Sequence, residues 1–308
     1  MSTIDRHPRP LVLVYLAAGV QGHAVVRAAL ARGFAVRALI RDRARAPRTP
    51  DGPVEWFEGD LDDRASLLAA TQGVSHAVIQ IPTGPVETMA AQAANAATAS
   101  VAAGLPAVVL KLASASRPAP CAEPSLVGNE RVEQTLRLAG LRYAAVRPTL
   151  YLDNLLKPSA REDIVEHGVF SPPIAVSQRV AWTSVDDCAR AAIALLESGA
   201  SGDYRIAGPL SLDGDELAAA VSMGLGRPVS YQAQAIDDFE RELDQALGAG
   251  MGRRVASKFR YFVGHPDEAE SILARPFAPA PGLPGFQPSS VQDWVRQRRA
   301  AFLSTVES

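Results

Sequence analysis

Apolar positions in the first half of the chain follow two alternating spacings. Apolar runs of strand length occupy residues 11–16, 35–40, 54–58, 77–81, 107–112 and 143–147. Segments with helical spacing lie between them, at residues 20–32, 64–71, 86–103 and 127–139. Because parallel strands need long crossover connections, this alternation predicts an α/β fold with a doubly wound parallel sheet.

The regular alternation ends near residue 150. Helices are predicted at residues 154–166, 183–198, 212–224, 236–247, 253–262 and 291–303, and short strands at 203–207 and 228–232. We therefore expect a loose tail at residues 1–10, a sheet domain at 11–150 and a smaller α+β domain at 151–308. Some elements after residue 150 are expected to return to the sheet domain.

The charge balance narrows the class of protein. Lys and Arg total 31 against 33 Asp and Glu, and this net charge of -2 argues against a nucleic-acid partner. A local arginine cluster is more typical of a small-anion site or of a solubility function. It comprises Arg37, Arg41, Arg43, Arg45 and Arg48.

Cysteine usage and apolar run lengths predict the compartment. Cys121 and Cys188 form neither a disulfide framework nor a metal-ligand spacing, which favours a reducing environment and no metal site. Residues 1–10 lack the apolar segment of a secretory signal. No apolar stretch approaches the roughly 20 residues that a bilayer span requires. We expect a soluble, cytoplasmic protein without a membrane partner.

The turn between the first strand and the first helix carries the main functional signal. It comprises Leu16-Ala17-Ala18-Gly19-Val20-Gln21-Gly22. Such a turn presents backbone N–H groups and the positive end of the helix dipole to an anion. We predict that Gly19, Val20, Gln21 and Gly22 cradle the pyrophosphate of a dinucleotide. Leu16 stands where the three-glycine form of the motif has glycine, so a fold relic with a narrowed pocket is the alternative.

The end of the second strand predicts which dinucleotide is bound. An acidic residue there hydrogen-bonds the ribose of NAD, whereas an arginine pairs with the 2′-phosphate of NADP. The chain has Arg41 at this place, with Arg37 and Arg43 nearby, which favours NADP(H). Asp42 follows Arg41, and its alternative role is that of a solvated turn acid.

Residues after the third and fourth strands are predicted to surround the same ligand. Asp60 can accept a hydrogen bond from the adenine amine, and Leu61 can cover the ring. Asp60 is equally a candidate cap for the helix that begins near residue 64. Ile81 and Pro82 should border the ribose and nicotinamide through their backbone.

Residues beyond the fifth and sixth strands are candidates for catalysis and substrate binding. Lys111 lies in a strand expected to be buried on both faces, so it either acts in the site or snorkels to the sheet rim. Tyr151 either hydrogen-bonds a carbonyl substrate or forms an aromatic wall. The remaining candidates are Ser114 and Asn154 for substrate, and Pro148 and Thr149 for the nicotinamide end.

Several segments, in a fixed order, carry a family resemblance. They are residues 17–22, 38–42, 58–63, 133–148, 167–170, 182–187 and 226–231, together with Asn154. This series resembles the NmrA-like branch of the atypical short-chain dehydrogenase/reductase family, including its NADPH:quinone oxidoreductase members. The resemblance implies a Rossmann domain that binds NADP and a small carboxy-terminal domain that forms the substrate cleft.

The resemblance also narrows the chemistry. Typical short-chain reductases use a Tyr-x-x-x-Lys pair for proton transfer, and Leu126-Val127-Gly128-Asn129-Glu130 offers no counterpart. Hydride transfer to a quinone needs little proton relay, because the cofactor carries the chemistry and water supplies protons. We predict an NADPH-dependent oxidoreductase that acts on a quinone-like or conjugated carbonyl molecule. The alternatives are a non-catalytic NADP-sensing regulator that binds a partner protein, and a scaffold that binds no dinucleotide. A homodimer is compatible with the sequence.

Overall fold

The structure is a computed structural model that describes residues 9–47 and 52–303. Its strands are β1 (Leu11–Val14), β2 (Ala35–Ile40), β3 (Val54–Glu58), β4 (His76–Ile79), β5 (Ala107–Lys111), β6 (Ala144–Pro148), β7 (Val169–Phe170), β8 (Gly202–Ile206) and β9 (Ser230–Tyr231). Seven of them form one sheet in the order β3-β2-β1-β4-β5-β6-β8, with parallel pairing from β3 to β6. This order confirms the predicted doubly wound, Rossmann-like α/β fold.

Helices connect and flank these strands. They are α1 (Val20–Ala31), α2 (Arg64–Ala70), α3 (Val86–Ala102), α4 (Pro124–Leu138), α5 (Pro158–Glu162), α6 (Val185–Ser198), α7 (Gly214–Leu225), α8 (Ile236–Leu247), α9 (Met251–Gly264), α10 (Pro266–Ala269), α11 (Val291–Gln297) and α12 (Arg299–Leu303). A short 3-10 helix, Arg43–Arg45, follows β2.

The described chain divides into two compact units. The first comprises the described part of residues 1–147 with Val185–Arg205 and Pro279–Phe286, and the second comprises Pro148–Ser184, Ile206–Ala278 and the described part of residues 287–308. The roles predicted for two domains stay predictions. Residues 1–8 of the predicted tail, and Arg48 of the arginine cluster, lie outside the described residues.

The core of the first unit lies against both faces of its sheet. Val12, Leu13 and Val14 of β1 are fully buried, as a central parallel strand covered on both sides must be. The alanine-rich α3 packs closely on α4, where a Cβ on Gly128 would lie 2.6 Å from Sδ of Met89. In-register pairing brings the carboxyl ends of β1, β2, β4 and β5 to one edge of the sheet.

The second unit departs most from the sequence-based elements. The single helix expected at residues 154–166 is wrong: a 3-10 helix (Leu152–Leu156), α5 and a π-helix (Asp163–His167) replace it. Pro158 lacks an N–H, so it begins a new helix instead of continuing the previous one. The two-residue strand β7 was not predicted, because so short a strand leaves no periodic signal.

Candidate functional site

The turn after β1 keeps the backbone of a glycine-rich turn although its first residue is leucine. Leu16 has φ 52°, and it is the one non-glycine residue in the left-handed region among residues 9–47 and 52–303. The Gly19 N–H closes the turn on the Leu16 carbonyl oxygen at 3.0 Å. A left-handed backbone disfavours a side chain by about 1–2 kcal/mol. Leucine in place of glycine therefore adds conformational strain at this position, while the geometry of the turn is retained.

Gly22 and Gly19 differ in how much room they have. A Cβ on Gly22 would lie 2.1 Å from the carbonyl oxygen of Leu16, so α1 could not approach the turn this closely with any other residue. A Cβ on Gly19 would meet the same oxygen at 3.5 Å, an ordinary contact. Gly22 is thus required for the packing of the helix, and Gly19 lines the open side of the turn.

The first turn of α1 is open to an anion. Within the described residues, no side chain caps this helix at Gly19, and its first turn holds no acidic residue. Val20 at its start is 71% exposed, which is unusual for valine. Burial and then the neighbouring Arg27 lower the pKa of His23, which favours its neutral form. The attraction for an anion at this place comes from backbone N–H groups and the helix dipole.

Lys111 connects strand β5 to the turn after β1. It is the last residue of β5, its side chain is 2% exposed, and its Nζ donates a hydrogen bond to Oε1 of Gln21. The alternative of snorkelling to the rim is therefore wrong, since the ammonium group is buried. A role for the Gln21 side chain was missed at the level of sequence, where only its backbone was considered.

A second buried amide fixes the end of β1. Gln80 follows β4, is 4% exposed, and donates from Nε2 to the carbonyl oxygen of Tyr15 at 2.8 Å. Its signal in the sequence is a lone polar residue at the end of an apolar run. Ile81 packs partly against the core, and Pro82 is exposed. Their predicted contacts with a nicotinamide stay predictions.

Two arginines of β2 and its following turn have different surroundings. Arg37 is occupied within the protein: its Nε donates to Glu55 at 2.8 Å, and its Nη1 donates to two backbone carbonyls. The Arg37 guanidinium is therefore held within the protein and does not share the exposure of Arg41. Arg41 is exposed, and no hydrogen bond or ion pair engages its side chain within the described residues. Arg41 is thus available to an external anion.

The acid beside Arg41 is used by its own turn. Asp42 accepts from the N–H of Ala44 at 2.9 Å and caps the short helix Arg43–Arg45. It also lies 3.4 Å from Nε of Arg45. This arrangement fits the turn-acid alternative for Asp42 and leaves Arg41 unpaired with it.

Asp60 and Leu61, predicted at the adenine, lie after β3. Asp60 accepts from the N–H of Asp62 at 2.9 Å, whereas the cap of α2 is Asp63. The helix-cap alternative for Asp60 is therefore wrong. Leu61 is 6% exposed and belongs to the core, so it offers little surface to a ring. The adenine contacts of both residues stay predictions.

A side chain of α4 holds Ser114 in place by hydrogen bonding. The Asn129 amide donates to Oγ of Ser114 at 3.0 Å and to the carbonyl of Ala115 at 2.8 Å, and both side chains are buried. Asn129 lies on α4, the helix expected from the resemblance to correspond to the Tyr-x-x-x-Lys helix of typical short-chain reductases. The helix, Pro124–Leu138, contains neither residue type.

A buried ion pair lies behind this helix. The carboxylate of Glu133 is inaccessible to solvent and accepts from Arg147 at 2.7 Å, while Arg147 also contacts Asp203 at 2.9 Å. Burial raises the pKa of Glu133, and Arg147 opposes the shift. The pair joins α4 to strand β6, so we assign it to the stability of the scaffold.

The remaining predicted residues belong to the second unit. Thr149 is buried and donates from Oγ1 to the carbonyl of Ala181 at 2.5 Å, so its hydroxyl already has a partner. Tyr151 is half-buried and forms a β-bridge with Thr183. Asn154 lies in the following 3-10 helix, and Pro148 is the buried last residue of β6. Their predicted roles stay predictions.

Neither a membrane-spanning helix nor a metal-binding cluster is found among the described residues. Across residues 9–47 and 52–303, no helix is long and apolar enough to span a membrane. The same residues contain no group of three or more His, Cys, Asp or Glu side chains that could hold a metal ion.

Comparison with known sequences decides the family. The model of the NmrA-like family matches residues 8–272, which is most of the chain. The chain belongs to the NmrA-like family. The resemblance that the segments carried is thereby confirmed.

Relatives of this NmrA-like protein include two reductases. The chain is 28% identical to the NAD(P)H azoreductase of Xenophilus azovorans over 298 residues, which cover 95% of the chain and 99% of the relative. It is 31% identical to the (4-alkanoyl-5-oxo-2,5-dihydrofuran-3-yl)methyl phosphate reductase of Streptomyces griseus subsp. griseus, over 74% of the chain and 78% of the relative.

The fold of the NmrA-like protein is similar to that of a solved reductase. The NADPH-dependent quinone oxidoreductase QOR2 of Escherichia coli, complexed with NADPH, superposes with a TM-score of 0.73. The alignment covers 93% of this chain and 99% of that one, at 22% identity. At this identity the comparison establishes a shared fold.

Proposed function

We propose that this NmrA-like protein is an NADPH-dependent oxidoreductase that transfers a hydride to a quinone-like or conjugated carbonyl molecule. The observation that carries the proposal is the turn after β1. Leu16 has a left-handed backbone conformation there. Any side chain at the position of Gly22 would collide with the carbonyl oxygen of Leu16. This backbone, with the open start of α1, fits a pyrophosphate.

We assign different residues of the first unit to different parts of the dinucleotide. The backbone at Gly19, Val20, Gln21 and Gly22 holds the pyrophosphate. Arg41 pairs with the 2′-phosphate, and its exposure, with no partner among residues 9–47 and 52–303, supports this role. Asp60 and Leu61 are assigned to the adenine, and Ile81 and Pro82 to the nicotinamide side.

Residues at and after the end of β5 are better suited to bind and orient the cofactor and the acceptor than to transfer a proton. Bound NADPH supplies the hydride. Lys111 holds Gln21 in place, and the Ser114 hydroxyl is fixed by Asn129. Because α4 carries no tyrosine and no lysine, the chain lacks the usual proton donor of a carbonyl reductase. An acceptor whose product takes protons from water, such as a quinone, fits these residues best.

The relatives support a reductase of conjugated acceptors. The Xenophilus azovorans relative is named for azo reduction with NAD(P)H, and the similar Escherichia coli structure is a quinone oxidoreductase. Azo and quinone acceptors share an extended conjugated system that accepts a hydride. An azo compound is accordingly a second acceptor for testing.

A redox-sensing regulator is the second candidate function. A protein that binds NADP and then a partner protein needs the dinucleotide site but no proton donor, and α4 offers none. Binding of NADPH without turnover is the behaviour expected of such a regulator.

Acceptor-dependent oxidation of NADPH tests the proposal. The full chain is incubated with NADPH and with a simple benzoquinone, a naphthoquinone, an azo dye or an unconjugated aldehyde, while NADPH absorbance is followed. We expect steady oxidation with the quinones and none with the aldehyde. Calorimetric binding of NADPH without oxidation by any acceptor would contradict the enzyme and favour the regulator. Absence of binding would favour the scaffold.

A further inference from the structure

The second unit contains a pocket of its own. The pocket has a volume of about 480 Å³, and all of its lining residues belong to this unit. Its walls come from Leu150, the loop at residues 173–179, α9, α10 and the π-helix Glu270–Ala274. The apolar lining includes Ile174, Phe259, Phe262, Val263 and Leu273. A volume of this size suits a small organic molecule.

The walls of this pocket are held in place by hydrogen bonds. The Tyr231 hydroxyl donates to the carbonyl of Ile174 at 2.8 Å, and the Gly214 N–H donates to the carbonyl of Val176 at 2.8 Å. On the opposite wall, the Ala181 N–H donates to the carbonyl of Leu273 at 2.8 Å. A ligand would therefore enter a largely preformed site and order few additional residues.

The pocket carries an unbalanced negative charge. Three charged side chains line it: Arg179, Asp267 and Glu270. Arg179 is already paired with Glu216 at 2.8 Å and also contacts Asp213 at 3.6 Å. Asp267 and Glu270 are exposed, and neither forms an ion pair with any described residue. The two carboxylates therefore remain to attract a cation.

We propose that this pocket binds a flat aromatic cation of about two fused rings. The phenylalanines and aliphatic side chains would bury the rings, and a cation beside an aromatic face gains further attraction. Asp267 and Glu270 would select positive charge. None of the residues assigned above to the dinucleotide or to the acceptor lines this pocket, so this binding goes beyond the proposed reductase and does not depend on it.

Matched probes separate ring burial from charge. The full chain is dialysed against 1-methylquinolinium, its neutral isostere 1-methylnaphthalene, or naphthalene-1-sulfonate. We expect the cation to bind about tenfold more tightly than the neutral isostere, and the anion to bind most weakly. This preference should shrink as the salt concentration rises, because both carboxylates are exposed.

Variants then locate the effect. Asp267→Asn combined with Glu270→Gln should lower the affinity for the cation about tenfold and leave the neutral probe unchanged. The control, Asp215→Asn with Glu242→Gln, removes the same charge elsewhere in the second unit and should change either affinity less than about twofold. Ala175→Trp should block both probes, because Ala175 lines the pocket and is exposed.

Four results would overturn this proposal. They are equal affinities for the cation and its neutral isostere, an equal loss in the control variant, binding that survives Ala175→Trp, and absence of binding by every probe. Circular dichroism of each variant verifies that it is folded. No dinucleotide is present in the assay, so these outcomes leave the proposed reductase function untouched.

Discussion

The turn after β1 and the segment after β2 lie at one edge of the first unit's sheet, yet they are built differently. The first is determined by backbone geometry: the φ of Leu16 and the close approach at Gly22. The second presents an exposed arginine, Arg41, whose neighbour Asp42 is used to cap its own turn. This difference corresponds to the two roles that we propose, in which the backbone of the turn holds either dinucleotide and the Arg41 side chain distinguishes NADP from NAD.

Gly22→Ala should have the largest effect. Its Cβ would lie 2.1 Å from the Leu16 carbonyl oxygen, so the turn or α1 must move. We expect the free energy of unfolding to fall by about 3 kcal/mol. Binding of NADPH and NADH should be lost together. Urea unfolding and calorimetric titration measure the two effects.

Gly19→Ala is the matched control. Its Cβ would meet the nearest atom at 3.5 Å, so unfolding should change by less than about 1 kcal/mol while both dinucleotides bind more weakly. Equal loss of stability in the two variants would contradict the assignment of packing to Gly22 and of ligand approach to Gly19.

Arg41→Ala tests the side chain that distinguishes the two cofactors. Loss of a charge-assisted phosphate contact should weaken NADPH binding by about 1.5–3 kcal/mol and leave NADH nearly unchanged. Arg43→Ala removes the same charge two residues away and should have a smaller effect, which reflects long-range attraction alone. If Arg43→Ala matched Arg41→Ala, or if NADH weakened equally, Arg41 would not be the reader of the 2′-phosphate.

Lys111→Met tests the contact that supports the turn from below. Without the hydrogen bond to Gln21, we expect both dinucleotides to bind about 1 kcal/mol more weakly, because the turn is less well held. Lys111→Arg should restore part of this affinity. A collapse of kcat at saturating NADPH with affinity unchanged would instead support the catalytic role predicted from sequence for Lys111.

Leu16→Gly should have the smallest net effect. Relief of the left-handed strain, about 1–2 kcal/mol, is offset by the flexibility of glycine and by lost packing of the partly buried leucine. We expect unfolding free energy to change by less than about 1 kcal/mol. Leu16→Ala keeps the strain and loses the packing, so it should be less stable than Leu16→Gly in urea. The opposite order would show that Leu16 is unstrained.

Strands marked by an apolar run, and the turn marked by its glycines, were predictable from sequence. The strands β2 and β3 have their predicted bounds, and the glycine spacing marked the turn that Gly22 packs. Partners across the sheet were not predictable, because Lys111 and Gln21 are far apart in the chain and neither signals the other. Arg37 and Arg41 also look alike in sequence, and the partners that hold Arg37, Glu55 on the neighbouring strand and two backbone carbonyls, are distant from it in the chain.

The second unit was less predictable for a different reason. Its helices between residues 152 and 167 change type within a few residues, and such changes depend on proline positions and local packing more than on apolar spacing. The pocket in this unit depends on hydrogen bonds between segments that are distant in the chain, such as that from Tyr231 to Ile174. No local pattern reports such contacts.

A crystal structure of the full chain soaked with NADPH would show whether the turn after β1 and Arg41 bind the dinucleotide. We expect the pyrophosphate against the N–H groups of Val20 and Gln21, with the 2′-phosphate within hydrogen-bond distance of the Arg41 guanidinium. A well-ordered dinucleotide bound away from the turn after β1, or a 2′-phosphate held by other residues while Arg41 remains in solvent, would contradict this expectation.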